Sequence, residues 1–137
     1  MVDVQVLRRK LQLLEEYLAT LRRISQVTLE EHLEDPRIHG SIERFLHLTA
    51  ECAIDIASHL VSDQALGAPE TYRDVFRILE DAGQMPAELA LQMQAWAGFR
   101  NVLVHLYEGL DRERCWCAAR EQLGEIDDFA RWAAGYL

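Results

Sequence analysis

Val4-Gln5-Val6-Leu7-Arg8-Arg9-Lys10-Leu11-Gln12-Leu13-Leu14-Glu15-Glu16-Tyr17-Leu18-Ala19-Thr20-Leu21 decides the fold class of this chain. Val4, Leu7, Leu11, Leu14, Leu18 and Leu21 follow one another at alternating spacings of three and four. At 3.6 residues per turn, that spacing draws one apolar stripe down a helix. A helix is therefore expected over residues 3–28. Its heptad-like seam packs inside a bundle or serves a dimer.

The same period returns four more times. Asp35-Pro36 starts the second helix, with Asp as N-cap and Pro in the first position. Gly40 and Ser41 offer a restart with Ser41 as cap. From there Phe45, Leu46, Thr49, Ala53, Ile56 and Leu60 form the stripe. Residues 62–69 read as a loop. A third, short helix is expected over residues 71–81, turning Val75, Phe76, Ile78 and Leu79 inward and ending at Gly83. Pro86 opens a fourth helix carrying Leu89, Met93, Trp96 and Leu103, which Gly109 closes. Asp111 caps a fifth, whose apolar positions include Trp116, Leu123, Ile126, Phe129, Ala130 and Ala133. No period-two alternation with hairpin turns stands out, and no linker, repeat or low-complexity tract interrupts the pattern. The expectation is an all-α, up-and-down bundle of about five helices, forming a single domain over residues 1–137.

Composition narrows the function. A chain of 137 residues, half of them hydrophobic, can bury a core without disulfide or metal support. Cys52, Cys115 and Cys117 form neither a paired set nor a four-ligand site, so reduced thiols in or near the core are expected. No apolar run reaches a membrane-spanning length, and the first ten residues lack the pattern of a secretory signal. The cytoplasm is the expected location, with no membrane partner. The net charge of −9 argues against broad nucleic-acid binding, so any RNA contact must be local.

One stretch carries chemistry. Phe99-Arg100-Asn101-Val102-Leu103-Val104-His105-Leu106-Tyr107 places a fixed cation, an amide, an imidazole and a phenol at the end of the fourth helix. Arginine suits phosphate, and histidine moves protons near neutral pH. These residues fit metal-independent RNA cleavage. In that reaction His105 takes the ribose 2′-hydroxyl proton or protonates the leaving 5′-oxygen. Arg100 stabilises the charge gained by the phosphate in the transition state. Asn101 holds the imidazole or a phosphate oxygen. DNA lacks the nucleophile, so RNA selectivity follows. On an ideal helix Arg100 and Tyr107 lie within about 20° of each other, whereas Arg100 and His105 point about 140° apart. They meet on one phosphate if the helix loosens near His105, if Arg100 curls round, or if a second copy completes the site.

Arg100, His105 and Tyr107, with Asn101 after the arginine, complete an Arg-x-x-x-x-His-x-Tyr motif that resembles the HepT-like toxins of the HEPN superfamily. Residues 51–60, 69–79 and the pair Leu110-Asp111 extend the resemblance, which covers residues 3–129. It implies a homodimeric helical bundle acting as an RNase toxin, with its active site in the cleft between protomers. It also implies a cognate antitoxin of minimal nucleotidyltransferase fold, which can transfer AMP from ATP to the motif tyrosine, here Tyr107. Phosphate beside Arg100 and His105 would compete for the arginine and repel RNA.

Outside the motif, Glu51 and Asp55 share a helix face. They either line the cleft, polarise a histidine or bind a metal, or they serve packing and salt bridges. His59, one turn beyond Asp55, offers an Asp–His pair. His32, His39 and His47 read as surface or boundary residues. No metal set and no cofactor are expected. The alternative function is a catalytically weak helical partner and AMP acceptor of a nucleotidyltransferase.

Overall fold

The computed structural model of the chain describes residues 1–105 and 109–137. Its secondary structure among the described residues is helical throughout, in seven segments: α1 (Val4–Ile24), α2 (Leu29–Glu34), α3 (Pro36–Asp63), α4 (Tyr72–Asp81), α5 (Ala87–His105), α6 (Arg112–Glu121) and α7 (Leu123–Ala134).

The count exceeds the expected five because a short extra helix, α2, forms between the first two expected helices and the last expected helix is divided. Thr28 does not end the first helix. It caps the short α2, donating to and accepting from Glu31 in a capping box. The last helix breaks at Gln122, whose φ of −111° and ψ of 0° leave the helical region. Periodicity does not register such a break, because the apolar stripe carries across it. Conversely, Gly40 and Ser41 restart nothing. α3 runs unbroken past them, and the Ser41 hydroxyl donates to the Arg37 carbonyl at 2.6 Å. The other starts follow the local chemistry. Asp3 accepts from the N–H groups of Gln5 and Val6, and Asp35 from that of Arg37. Gly83, at φ +74°, takes the left-handed conformation that terminates α4.

α3 is the central element, packed against each of the other six helices. Its long apolar face explains this role: Ile42, Leu46, Ile56 and Leu60 are fully buried. Leu7, Leu14 and Leu21 of α1 are equally buried, so the seam of the first helix serves the interior and not a dimer. Phe76 of α4 meets Phe129 of α7 edge-on at 6.1 Å, which closes the core on the far side. Each of the three tryptophans spends its indole N–H on a link between segments. Trp96 donates to Glu125, Trp116 to the Val27 carbonyl and Trp132 to the Gln84 carbonyl. No helix among the described residues is long and apolar enough to cross a membrane.

α5 differs from its neighbours. It is apolar on nearly all sides, and its Leu91 is 70% exposed. α4 packs along one flank of it, and α3 and α7 cover the inner side.

Candidate active site at the end of α5

Arg100 lies in the third quarter of α5, turned towards α3. Its guanidinium forks onto Glu51, with Nη2 donating to Oε1 at 3.1 Å and Nε to Oε2 at 3.3 Å. Nη1 donates to Asn101 Oδ1 at 3.2 Å, and the Tyr72 ring sits 4.8 Å from the guanidinium carbon. Three donors of a rigid plane and its face are thus engaged by a carboxylate, an amide and a π face, which fixes the arginine's orientation. Only 14% of the side chain remains exposed.

Glu51 is held from its other side by His47, whose Nε2 lies 2.6 Å from Oε2. Arg44 Nη1 approaches Nδ1 of the same ring at 3.2 Å. Arginine can only donate, so Nδ1 accepts and Nε2 carries the proton towards Glu51. Burial pushes the Glu51 carboxyl up. The hydrogen bonds and charge of Arg100, then the hydrogen bond from His47, outweigh it and hold the carboxyl below its ordinary range.

His105 ends the described part of α5 and is exposed. Among the described residues no hydrogen bond or ion pair joins it to Arg100. The two motif residues therefore face apart within one protomer, as helix geometry requires. Tyr107 lies outside the described residues.

Two surface grooves meet at Tyr72. One, of about 340 Å³, is lined by Lys10, Tyr17, Glu51 and Asp55. The other, of about 470 Å³, is lined by Ser58, Glu70 and Asn101. Glu51 and Asp55 thus share a groove but differ in attachment: Glu51 serves Arg100, whereas Asp55 forms an ion pair with Lys10. The anticipated Asp55–His59 pair does not form. His59 instead lies 3.0 Å from Asp63, one turn further on, in poor hydrogen-bond alignment. His32 is no surface residue. It is fully buried, with Nε2 3.0 Å from the Arg112 carbonyl. No cluster of three or more His, Cys, Asp or Glu side chains suited to a metal ion occurs among the described residues. The thiols of Cys52 and Cys115 are free and buried, and burial pushes them up to about 11 and about 12. Both therefore stay protonated and unreactive near neutral pH.

Sequence reasoning missed Tyr72, His47 and the pair Arg73–Gly98. His47 had a signal, standing four residues before Glu51. Gly98 had another: a glycine inside a helix costs about 1 kcal/mol relative to alanine and calls for a reason. The reason is steric. A methyl group built on Gly98 would fall 2.1 Å from Arg73 Nη2 and 3.0 Å from its Cζ.

The chain is similar to proteins of known sequence and structure. The chain is 28% identical over 136 residues to the tRNA nuclease HepT of Aphanizomenon flos-aquae, covering 99% of this chain and 92% of that one. It is 28% identical over 111 residues to the mRNA nuclease HepT of Shewanella oneidensis, covering 80% and 84%. The fold matches that of a toxin–antitoxin crystal structure with AMP-PNP, with a TM-score of 0.88, 21% identity and coverage of 96% and 98%. It also matches the structure of the tri-AMPylated Shewanella oneidensis HEPN toxin in complex with MNT antitoxin, with a TM-score of 0.87, 22% identity and coverage of 98% and 99%. A family model described as ribonuclease HepT-like matches residues 14–132, and this chain belongs to that family.

Proposed function

We infer that this protein is the toxin of a toxin–antitoxin pair, a metal-independent endoribonuclease acting as a single-domain homodimer. The observation that carries this reading is the divided motif. Arg100 is fixed inward by Glu51 and Asn101, while His105 stands exposed on the same helix. Two copies docked through α5 would set the histidine of one beside the arginine of the other. What supports that docking is the surface of α5 itself: a helix apolar on nearly all sides, with Leu91 exposed, calls for further cover.

In the reaction His105 removes the 2′-hydroxyl proton as the 2′-oxygen attacks phosphorus. Arg100 stabilises the charge on the non-bridging oxygens, and Asn101 orients Arg100. The bond to the 5′-oxygen breaks, and that oxygen takes a proton from the second protomer's imidazole or from water. The products carry a 2′,3′-cyclic phosphate and a 5′-hydroxyl. A minimal nucleotidyltransferase antitoxin neutralises the toxin by adding AMP to Tyr107. The phenol attacks the α-phosphorus of ATP, and pyrophosphate leaves. The relatives and structures named above support this pairing.

The test is induction of the protein alone beside the His105→Ala variant, with growth and total RNA followed in both. Arrest and RNA cleavage that vanish in the variant are expected. Equal arrest and cleavage in both would end the assignment. A soluble protein with neither effect would favour the other reading, an AMP-accepting partner with little nuclease activity.

A further inference from the structure

The first turn of α4 lies over α5. Tyr72 covers Arg100, while the next residue, Arg73, lies on Gly98. Gly98 and His105 are seven residues apart, so they share a face to within about 20° and are about 10 Å apart along the axis. The guanidinium of Arg73 thus borders the strip of α5 that ends in the exposed His105.

Nothing local explains a cation at this position. Arg73 is the second residue of α4, where the positive end of the helix dipole disfavours it. Among the described residues no carboxylate pairs with it; the adjacent Asp74 accepts from the backbone N–H groups of Glu70 and Thr71 and pairs with Arg77. Arg73 is also exposed, so it is not there to fill the core. What α5 provides is a gap: any side chain at position 98 would push the guanidinium away.

Resting on the ribonuclease reading above, we propose that Arg73 is a further RNA-binding residue, seated by Gly98 to hold a backbone phosphate flanking the one cleaved at His105. Its planar donors suit phosphate oxygens, and its seat on Gly98, two helical turns before His105, makes it a binding group and not a catalytic one. In a chain of net charge −9, such placed arginines supply the local attraction that the surface as a whole does not.

The test uses full-length protein in three steps. First, Arg73→Gln is compared with wild type on a short RNA. KM should rise roughly tenfold with kcat within about twofold, since only binding is removed. Second, in a His105→Ala background that cannot cleave, RNA affinity is measured against salt. Arg73→Gln should flatten the logarithmic slope by about 0.7, the value of one single-strand phosphate contact. Third, Gly98→Ala should melt at or above the wild-type temperature yet lose the same affinity, and should add nothing in an Arg73→Gln background. Cleavage by wild type with unchanged KM and salt slope in Arg73→Gln would overturn this proposal alone. Absence of both cleavage by wild type and RNA binding by His105→Ala would overturn the ribonuclease reading with it.

Discussion

Glu51 on α3 holds the Arg100 guanidinium on α5 through two parallel contacts, at 3.1 and 3.3 Å, while sharing one of its oxygens with His47. This ties the orientation of the motif arginine to a residue 49 positions earlier in the chain. Glu51→Ala should therefore lower kcat/KM on RNA by roughly tenfold, about 1.4 kcal/mol of transition-state stabilisation, with the helical circular dichroism unchanged. Full activity in the variant would show that the fork is structural only.

The same pair sets an acid dependence. The Glu51 carboxyl is held below its ordinary range, so its contribution to stability is complete above that range and is lost as pH falls through the lowered value. Because Glu51 is 43% exposed, solvent screening keeps the effect small, about 1 kcal/mol or less. Denaturant midpoints of wild type and Glu51→Gln should differ near pH 7 and converge in acid. A gap that is constant with pH would contradict the assignment.

His32 gives a second pH effect of separate origin. Burial lowers its pKa, and the nearby charges of His39 and Arg112 lower it further, against the raising effect of the hydrogen bond to the Arg112 carbonyl. The unfolded chain then binds its proton at higher pH than the folded one, so stability falls as pH drops below about 6.5. His32→Gln keeps a donor for that carbonyl and has no titration. Its denaturant midpoint should change less than that of wild type between pH 7.5 and pH 5.5, at roughly these bounds. Parallel curves would remove His32 as the cause.

The fold was legible wherever apolar spacing carried it. Most of the α1 stripe and of the inward faces of α3 and α4 is buried, with Val4, Phe45 and Ile78 only partly so. Boundaries were less legible where two local signals competed. Gly40 and Ser41 look like a restart, yet the packing of Ile38 before that turn and of Ile42 and Leu46 after it keeps α3 continuous. The site was legible as a motif and not as an assembly. Arg100 and His105 are five residues apart in sequence, but Glu51, Tyr72 and Arg73 reach α5 from other helices, and no spacing rule encodes such contacts. Each left only an indirect trace, such as a glycine where alanine would make a better helix.

Tyr107 can be tested apart from cleavage. Tyr107→Phe should abolish label transfer from α-labelled ATP by a cognate nucleotidyltransferase, while leaving RNA cleavage within about threefold of wild type, since the phenol takes no part in the proton transfers proposed. Intact-mass measurement after incubation reads the result. Labelling that persists in the variant would place the acceptor elsewhere.

Leu91 tests the two-copy site. Among the described residues it is the most exposed large apolar side chain within a helix, and it stands on α5 seven residues before Gly98, on the strip that leads to His105. If a second copy docks there, a charge at position 91 would be buried against apolar surface and would open the interface. Leu91→Glu should then sediment as a monomer at concentrations where wild type is a dimer. It should stay folded, with unchanged helical circular dichroism, because the side chain makes little contact with its own core. It should also lose RNA cleavage by 10²-fold or more, since Arg100 and His105 of one chain face apart and proton transfer by a positioned side chain contributes about that much. A monomeric variant that cleaves RNA at the wild-type rate would place both residues in one protomer's site. A variant that stays dimeric and active would move the interface off α5.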